Sequence, residues 1–173
     1  MSKAEVALLM GSDSDWPLLE DTVGVFLQFG VECEVRVMSA HRTPEIAAAF
    51  ARQAAGKGIK VILAAAGGSA HLAGVVAGHT TLPVIGIPVS SNFMGGLDSL
   101  LSTVQMPAGI PVATVAVGKS GATNAALLAV QILALGRADL RQKLARHKKT
   151  LVEKVKAGNA RIQMEVAKKK TKG

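Results

Sequence analysis

A doubly wound α/β domain, a parallel sheet covered by helices on both faces, is the fold class this sequence predicts. Two observations carry the prediction. Five short apolar runs recur, VALLM (6–10), VECEVRVM (31–38), KVILAAA (60–66), PVIGIPV (83–89) and VATVAV (112–117), each followed by a turn rich in small residues and then a helical pattern. Strands alternating with helices require right-handed crossovers and therefore a parallel sheet. The composition agrees: 49% hydrophobic, 3% aromatic, no tyrosine and 18 glycines, which calls for a core of Ala, Val, Leu and Ile with close backbone approaches. At 173 residues the chain suffices for one domain with a substantial core and is too short for two.

Each run indicates its place in the sheet. The second alternates apolar residues with Glu32, Glu34 and Arg36, as a half-exposed strand does, whereas the third and fourth are almost continuously apolar, as strands buried on both faces are. The second strand therefore belongs at an edge, and the flavodoxin-like order 2-1-3-4-5, a three-layer sandwich, puts it there. Ligands of such sheets bind at the carboxyl ends of the strands, where this chain has GSDSD (11–15), SAHRT (39–43), GGSAHL (67–72), SSNFMGG (90–96) and GKSG (118–121).

The helices follow. Asp15 before Trp16 and Pro17 reads equally well as a helix cap or a ligand contact. Thr43 and Pro44 read as cap and first helical residue. ATNAALLAVQILALG, after Gly121, is apolar almost all round, which suggests subunit contact and a homo-oligomer. From Ala138 to about Val166 the stripe Leu140, Leu144, Leu151 and Val155 predicts a long C-terminal helix packed along one side, with Gly158 and Asn159 as its end or bend. Residues 1–157 are thus expected to form the α/β domain and 158–173 a basic extension.

The net charge of +8 is unevenly placed: residues 1–136 carry 7 Lys and Arg against 9 Asp and Glu, residues 137–173 carry 13 against 3. With no interleaved aromatics and no recognised motif, the lysine-rich end reads as a solvated tail, not a nucleic-acid site. No secretory signal or apolar segment of spanning length is evident, which predicts a cytoplasmic protein without a membrane partner. Cys33, the only cysteine, excludes an intrachain disulfide and reads as a small core residue.

Named motifs are mostly excluded. VGKSG lacks the glycine five positions before Gly118 that a P-loop needs, since Ala113 stands there; G-x-G-x-x-G after the first strand and G-x-S-x-G are absent. His71 and His79 are two helical turns apart, roughly 12 Å, too far for one metal ion, and His79 and His147 read as structural or surface residues on helices. What remains is a pocket for an anionic small molecule. Gly11 allows a close turn, Ser12 and Ser14 offer hydroxyls, the following helix offers N–H groups to a phosphate, and Arg42 offers a guanidinium. His41 on the rim is the candidate acid/base, because imidazole exchanges protons near neutrality.

MGSDSDW, SAHRTP, AAGGSAHLAG, DSLLSTVQMP and GKSGATNAALLAVQIL together resemble the PurE family of purine biosynthesis, on the side of its N5-carboxyaminoimidazole ribonucleotide mutases, over about residues 4–145. The resemblance implies migration of a carboxyl group from N5 to C4 of a phosphorylated ribonucleotide, without cofactor or metal, by a homo-octamer. It implies that His41 moves the protons, that Ser12, Ser39 and Arg42 hold the phosphate and Asp15 the ribose, and that Gly67, Gly68, Ser69, His71 and Leu72 surround the imidazole and confine CO2. Direct carboxylases of the same superfamily resemble SAHK and AGRSN where this chain has SAHR and AGGSA, so Arg42 and Gly68 favour the mutase. Ser69 and Ala73 stand where Ala and Pro are more usual, and SSNFMGG also departs from the pattern. The alternatives are that direct carboxylase and a noncatalytic phosphosugar-binding module.

Overall fold

A computed structural model describes residues 3–91 and 93–170. Asn92 in the SSNFMGG loop and the last three residues of the tail lie outside the described residues. By its contacts the chain divides into two units, residues 1–133 and 134–173.

The first unit contains a parallel sheet of β1 (Val6–Met10), β2 (Cys33–Val37), β3 (Val61–Ala66), β4 (Val84–Pro88) and β5 (Ala113–Thr114) in the order β2-β1-β3-β4-β5. The flavodoxin-like order and the edge position of β2 are as the polar alternation predicts. β1 and β4 are buried at every position, and β3 at all but its last, whereas β2 is buried at none.

The helices are α1 (Trp16–Phe29), α2 (Pro44–Lys57), α3 (Leu72–Ala77), α4 (Leu97–Val104) and α5 (Lys119–Ala134). Residues Ala47, Phe50, Ala51 and Ala54 of α2 and Leu72, Ala73 and Val76 of α3 pack with Ala7, Leu9, Ile62 and Ala64, which alternate along β1 and β3 and so share one face of the sheet. The buried Thr22 hydroxyl of α1 donates to the Ala122 carbonyl of α5 at 3.2 Å, tying those two helices together. Along α5, Ala122, Ala125, Ala126, Ala129 and Val130 are buried while Asn124 and Gln131 are exposed. Much of the all-round apolar character is therefore absorbed within this one chain.

The fifth strand is shorter than 112–117 because of its neighbour. Gly86 and Pro88 turn their carbonyls towards this edge, accepting from Val115 and Gly118 at 3.1 Å each. The amide that would return the next bond belongs to Pro88, and proline has no N–H, so the regular ladder ends.

Gly86, central in β4, marks a close approach. A Cβ there would meet Thr103 Cγ2 of α4, Val112 Cγ1 at 3.0 Å and Ala73 Cβ at 3.3 Å. Gly86→Ala is therefore expected to cost about 1–3 kcal/mol by overpacking, read as a melting temperature several degrees lower.

In the second unit, α6 (Ala138–Lys170) is one unbroken helix of 33 residues. Gly158 and Asn159 neither end nor interrupt it, since one glycine costs only about 1 kcal/mol in a helix and neighbouring turns retain their bonds. Leu140 is buried, whereas Leu151 and Val155 of the same stripe are exposed. Among the described residues, no helix is long and apolar enough to cross a membrane.

Candidate active site

The carboxyl ends of β1, β2 and β3 enclose a cavity of about 330 Å³ lined by Gly11, Ser12, Asp15, Ser39, Ala40, His41, Arg42, Ala66, Gly67, Ser69, His71 and Leu72, a size suited to a small-molecule ligand. Of the ten residues assigned to the site from sequence, all but Gly68 line it. Gly11, read from sequence as the close turn of the pocket, joins them, as do Ala40 and Ala66, whose only signal is adjacency to assigned residues. Among the described residues, the loops after β4 and β5 contribute none to the lining. Lys119 of the last loop instead pairs with Asp21 on the exposed surface at 2.9 Å.

The loop after β2 is closed by its own side chains. The Ser39 Oγ accepts from the His41 and Arg42 amides at 3.3 and 3.2 Å, while the Thr43 hydroxyl lies 2.9 Å from the Ser39 amide, accepting from it, and 3.1 Å from the Ser39 carbonyl, donating to it. Thr43 holds the N-cap position of α2 but makes no side-chain cap bond. Its hydroxyl fastens the loop, which corrects its reading as a helix cap. A Ser39 hydroxyl that accepts twice still has its hydrogen to turn toward an anion.

Arg42 spans to the first loop, donating to the Gly11 carbonyl at 2.7 Å. A guanidinium has five N–H donors, so the bond aims the group without exhausting it. Ser12 is less open than its sequence suggests: its Oγ accepts from the Ser14 amide at 3.3 Å and lies 2.9 Å from the Ser14 hydroxyl. A 3-10 turn, Asp13–Asp15, precedes α1, and the Asp15 amide bonds the Ser12 carbonyl at 3.2 Å. With Pro17 lacking an N–H, α1 presents fewer donors to a phosphate than an ordinary helix start does. The donors that this rim offers are therefore chiefly the hydroxyls and Arg42.

Asp15 does not act as a side-chain cap. It is the N-cap residue of α1 yet makes no cap bond, and its carboxylate is half-buried at the cavity. Burial raises its pKa above the ordinary carboxylate value, against the Ser12 backbone hydrogen bond and the Arg42 charge, which lower it. A raised pKa means that the folded state binds this proton more tightly than the unfolded state, so the group's contribution to stability is largest below about pH 4 and is lost as pH rises through the folded value. Asp15→Asn should therefore melt higher than the parent near neutral pH, with the gain vanishing near pH 4, while ligand affinity falls about tenfold or more through loss of a charged acceptor.

The two rim histidines meet. His41 Nε2 lies 2.9 Å from His71 Nδ1, with the rings edge-on at 84° and centroids 5.0 Å apart. One nitrogen must donate and the other accept. His79, expected on a helix, lies in the turn after α3. Cys33 takes no part in the cavity, and burial pushes its thiol up to about 12, leaving it protonated at neutral pH.

A doubly wound parallel sheet with a polar cavity at the ends of β1 and β3, its switch point, defines a small-molecule-binding α/β protein equipped for proton transfer and anion contact. Residues 5–154 match the family model described as AIR carboxylase, and the chain belongs to that family. It is 51% identical over 161 residues to an N5-carboxyaminoimidazole ribonucleotide mutase of Mycobacterium tuberculosis, covering 93% of this chain and 91% of that protein. To the enzyme of that name from Aquifex aeolicus it is 56% identical over 142 residues, covering 82% and 84%. The crystal structure of Treponema denticola PurE superposes with a TM-score of 0.79 at 30% identity, covering 87% of this chain and 92% of that one.

Proposed function

We propose that this protein is an N5-carboxyaminoimidazole ribonucleotide mutase, an isomerase of purine biosynthesis that moves a carboxyl group from N5 to C4 and yields 4-carboxy-5-aminoimidazole ribonucleotide. The observation that carries the reading is a titratable pair, His41 and His71, on the rim of a cavity that also holds Arg42, Ser39 and Ser12, in a chain about half identical to enzymes of that name.

The chemistry is two proton movements around a carbon dioxide transfer. The N5–carboxylate bond breaks as His41 delivers a proton to N5, releasing CO2; C4 attacks the CO2; His41 then takes the C4 proton and the ring regains aromaticity. One group serves as acid and then base, and the reaction is balanced without cofactor or metal. Arg42, Ser39 and Ser12 hold the phosphate, and Asp15 accepts from the ribose hydroxyls. Gly67, Ser69, His71 and Leu72 form the wall that retains CO2. Residues 1–157 form the catalytic domain of a cytoplasmic homo-octamer, and 158–173 its basic extension.

Separate incubation with each ribonucleotide tests this. Turnover of the N5-carboxylated compound, without equal turnover of aminoimidazole ribonucleotide plus bicarbonate, is expected. The reverse preference would make the protein a direct carboxylase, and binding without turnover of either would make it a noncatalytic module.

A further inference from the structure

The segment DSLLSTVQMP carries part of the family likeness, yet none of its residues lines the cavity. Most of it forms α4, and α4 touches the site at one place. The Gly68 amide donates to the Ser99 Oγ at 2.9 Å, and Ser99 is completely buried. The Ser102 hydroxyl shares its single hydrogen between the Asp98 carbonyl of its own helix at 2.7 Å and the Gly68 carbonyl at 3.3 Å, so its hold on the loop is the weaker one. Gly68 sits at φ +64°, where a side chain is disfavoured, with open space where a Cβ would be.

Two residues, Ser69 and Ala70, separate this anchor from His71, and they have little freedom. The Ala70 amide bonds the Gly68 carbonyl at 2.8 Å, the His71 amide bonds the Ser69 carbonyl at 2.8 Å, and the Val75 amide bonds the His71 carbonyl at 2.9 Å, where α3 begins. Displacing Gly68 therefore displaces the His71 ring and its 2.9 Å contact with His41.

We propose that Ser99 is a positioning residue for the reaction: its buried hydroxyl holds Gly68 in the left-handed conformation from which the loop presents His71 to His41. The proposal rests on the mutase reading for its kinetic consequence. The residues assigned to the phosphate lie on the loops after β1 and β2, away from this anchor, so loosening the anchor affects the proton-transfer step more than binding.

Ser99→Ala is expected to lower kcat about tenfold, the scale of one lost hydrogen bond, with KM within about twofold, and to speed amide hydrogen exchange at Gly68. Gly68→Ala, which leaves Ser99 intact and meets no atom within 4 Å, should give the same kinetic signature, and the double variant should lose less than the product of the two. The control is Thr103→Val. It removes a buried hydroxyl on the same helix that bonds the Ser99 carbonyl at 2.7 Å and does not touch the loop, so it should lower the melting temperature while leaving kcat unchanged. Unchanged kcat and unchanged exchange at Gly68 in Ser99→Ala, or an equal kcat loss in Thr103→Val, would overturn the proposal. If the parent turns over neither ribonucleotide, the mutase reading fails, and the exchange measurement at Gly68 still decides whether the anchor exists.

Discussion

His41→Asn is expected to fold, to bind the ribonucleotide and to lose about 10²–10⁴-fold or more of kcat, the range ascribed to a positioned acid or base. Asparagine is the informative replacement, because its amide stands where the near side of the imidazole stood, keeps the position polar and does not titrate in the working range. The Nε2 contact with His71 is lost together with the proton carrier. Steady-state turnover of the N5-carboxylated substrate, paired with calorimetric titration of the product, separates the two effects. Affinity within a few-fold of the parent together with collapsed turnover is the expected pattern. Turnover near the parent's would mean that another group moves the protons.

The second large effect is expected at Arg42. Arg42→Ala removes a cation and its tether to the Gly11 carbonyl, and should raise KM ten- to a hundredfold, which is about 1.5–3 kcal/mol of charge-assisted bonding, with a smaller change in kcat. Arg42→Lys should recover only part of this loss. An ammonium is a point charge on a flexible stem and cannot bond the Gly11 carbonyl and face an anion with the rigid geometry of a guanidinium. The parent's KM should also rise with salt, and the alanine variant's should rise less. Equal KM values for parent and Arg42→Ala would move the phosphate to another part of the cavity.

Much of this site was legible before the structure, and the limits of that legibility are physical. The placement of β2 at an edge could be read from Glu32, Glu34 and Arg36, because burial acts on each residue and leaves its mark in the local pattern. The length of β5 could not be read from Val112–Val117, because it depends on an amide that Pro88, far along the chain, does not have. Thr43 and Asp15 both stand where helix caps stand, and neither side chain caps. The sequence shows that such a hydroxyl or carboxylate can accept a bond but not which partner comes closest. The contact of His41 with His71 joins two loops 30 residues apart and depends on the pairing of β2 and β3 with the strand between them. Gly68 lies outside the cavity lining, and its amide bonds a serine 31 residues away. That bond is visible only in the folded chain.

The two ends of the sheet are unlike each other. At one, β2 exposes Arg36, paired with Glu34 at 2.8 Å; at the other, β5 is two residues long, and beyond its pairing with Ile85 and Gly86 comes Pro88, which has no N–H. An open sheet edge is a template on which a foreign strand can grow, and charge, brevity and proline are three ways of blunting it. This chain uses all three, so its most aggregation-prone segments, the apolar strands β3 and β4, are shielded in the interior of a sheet with no ready place for an added strand.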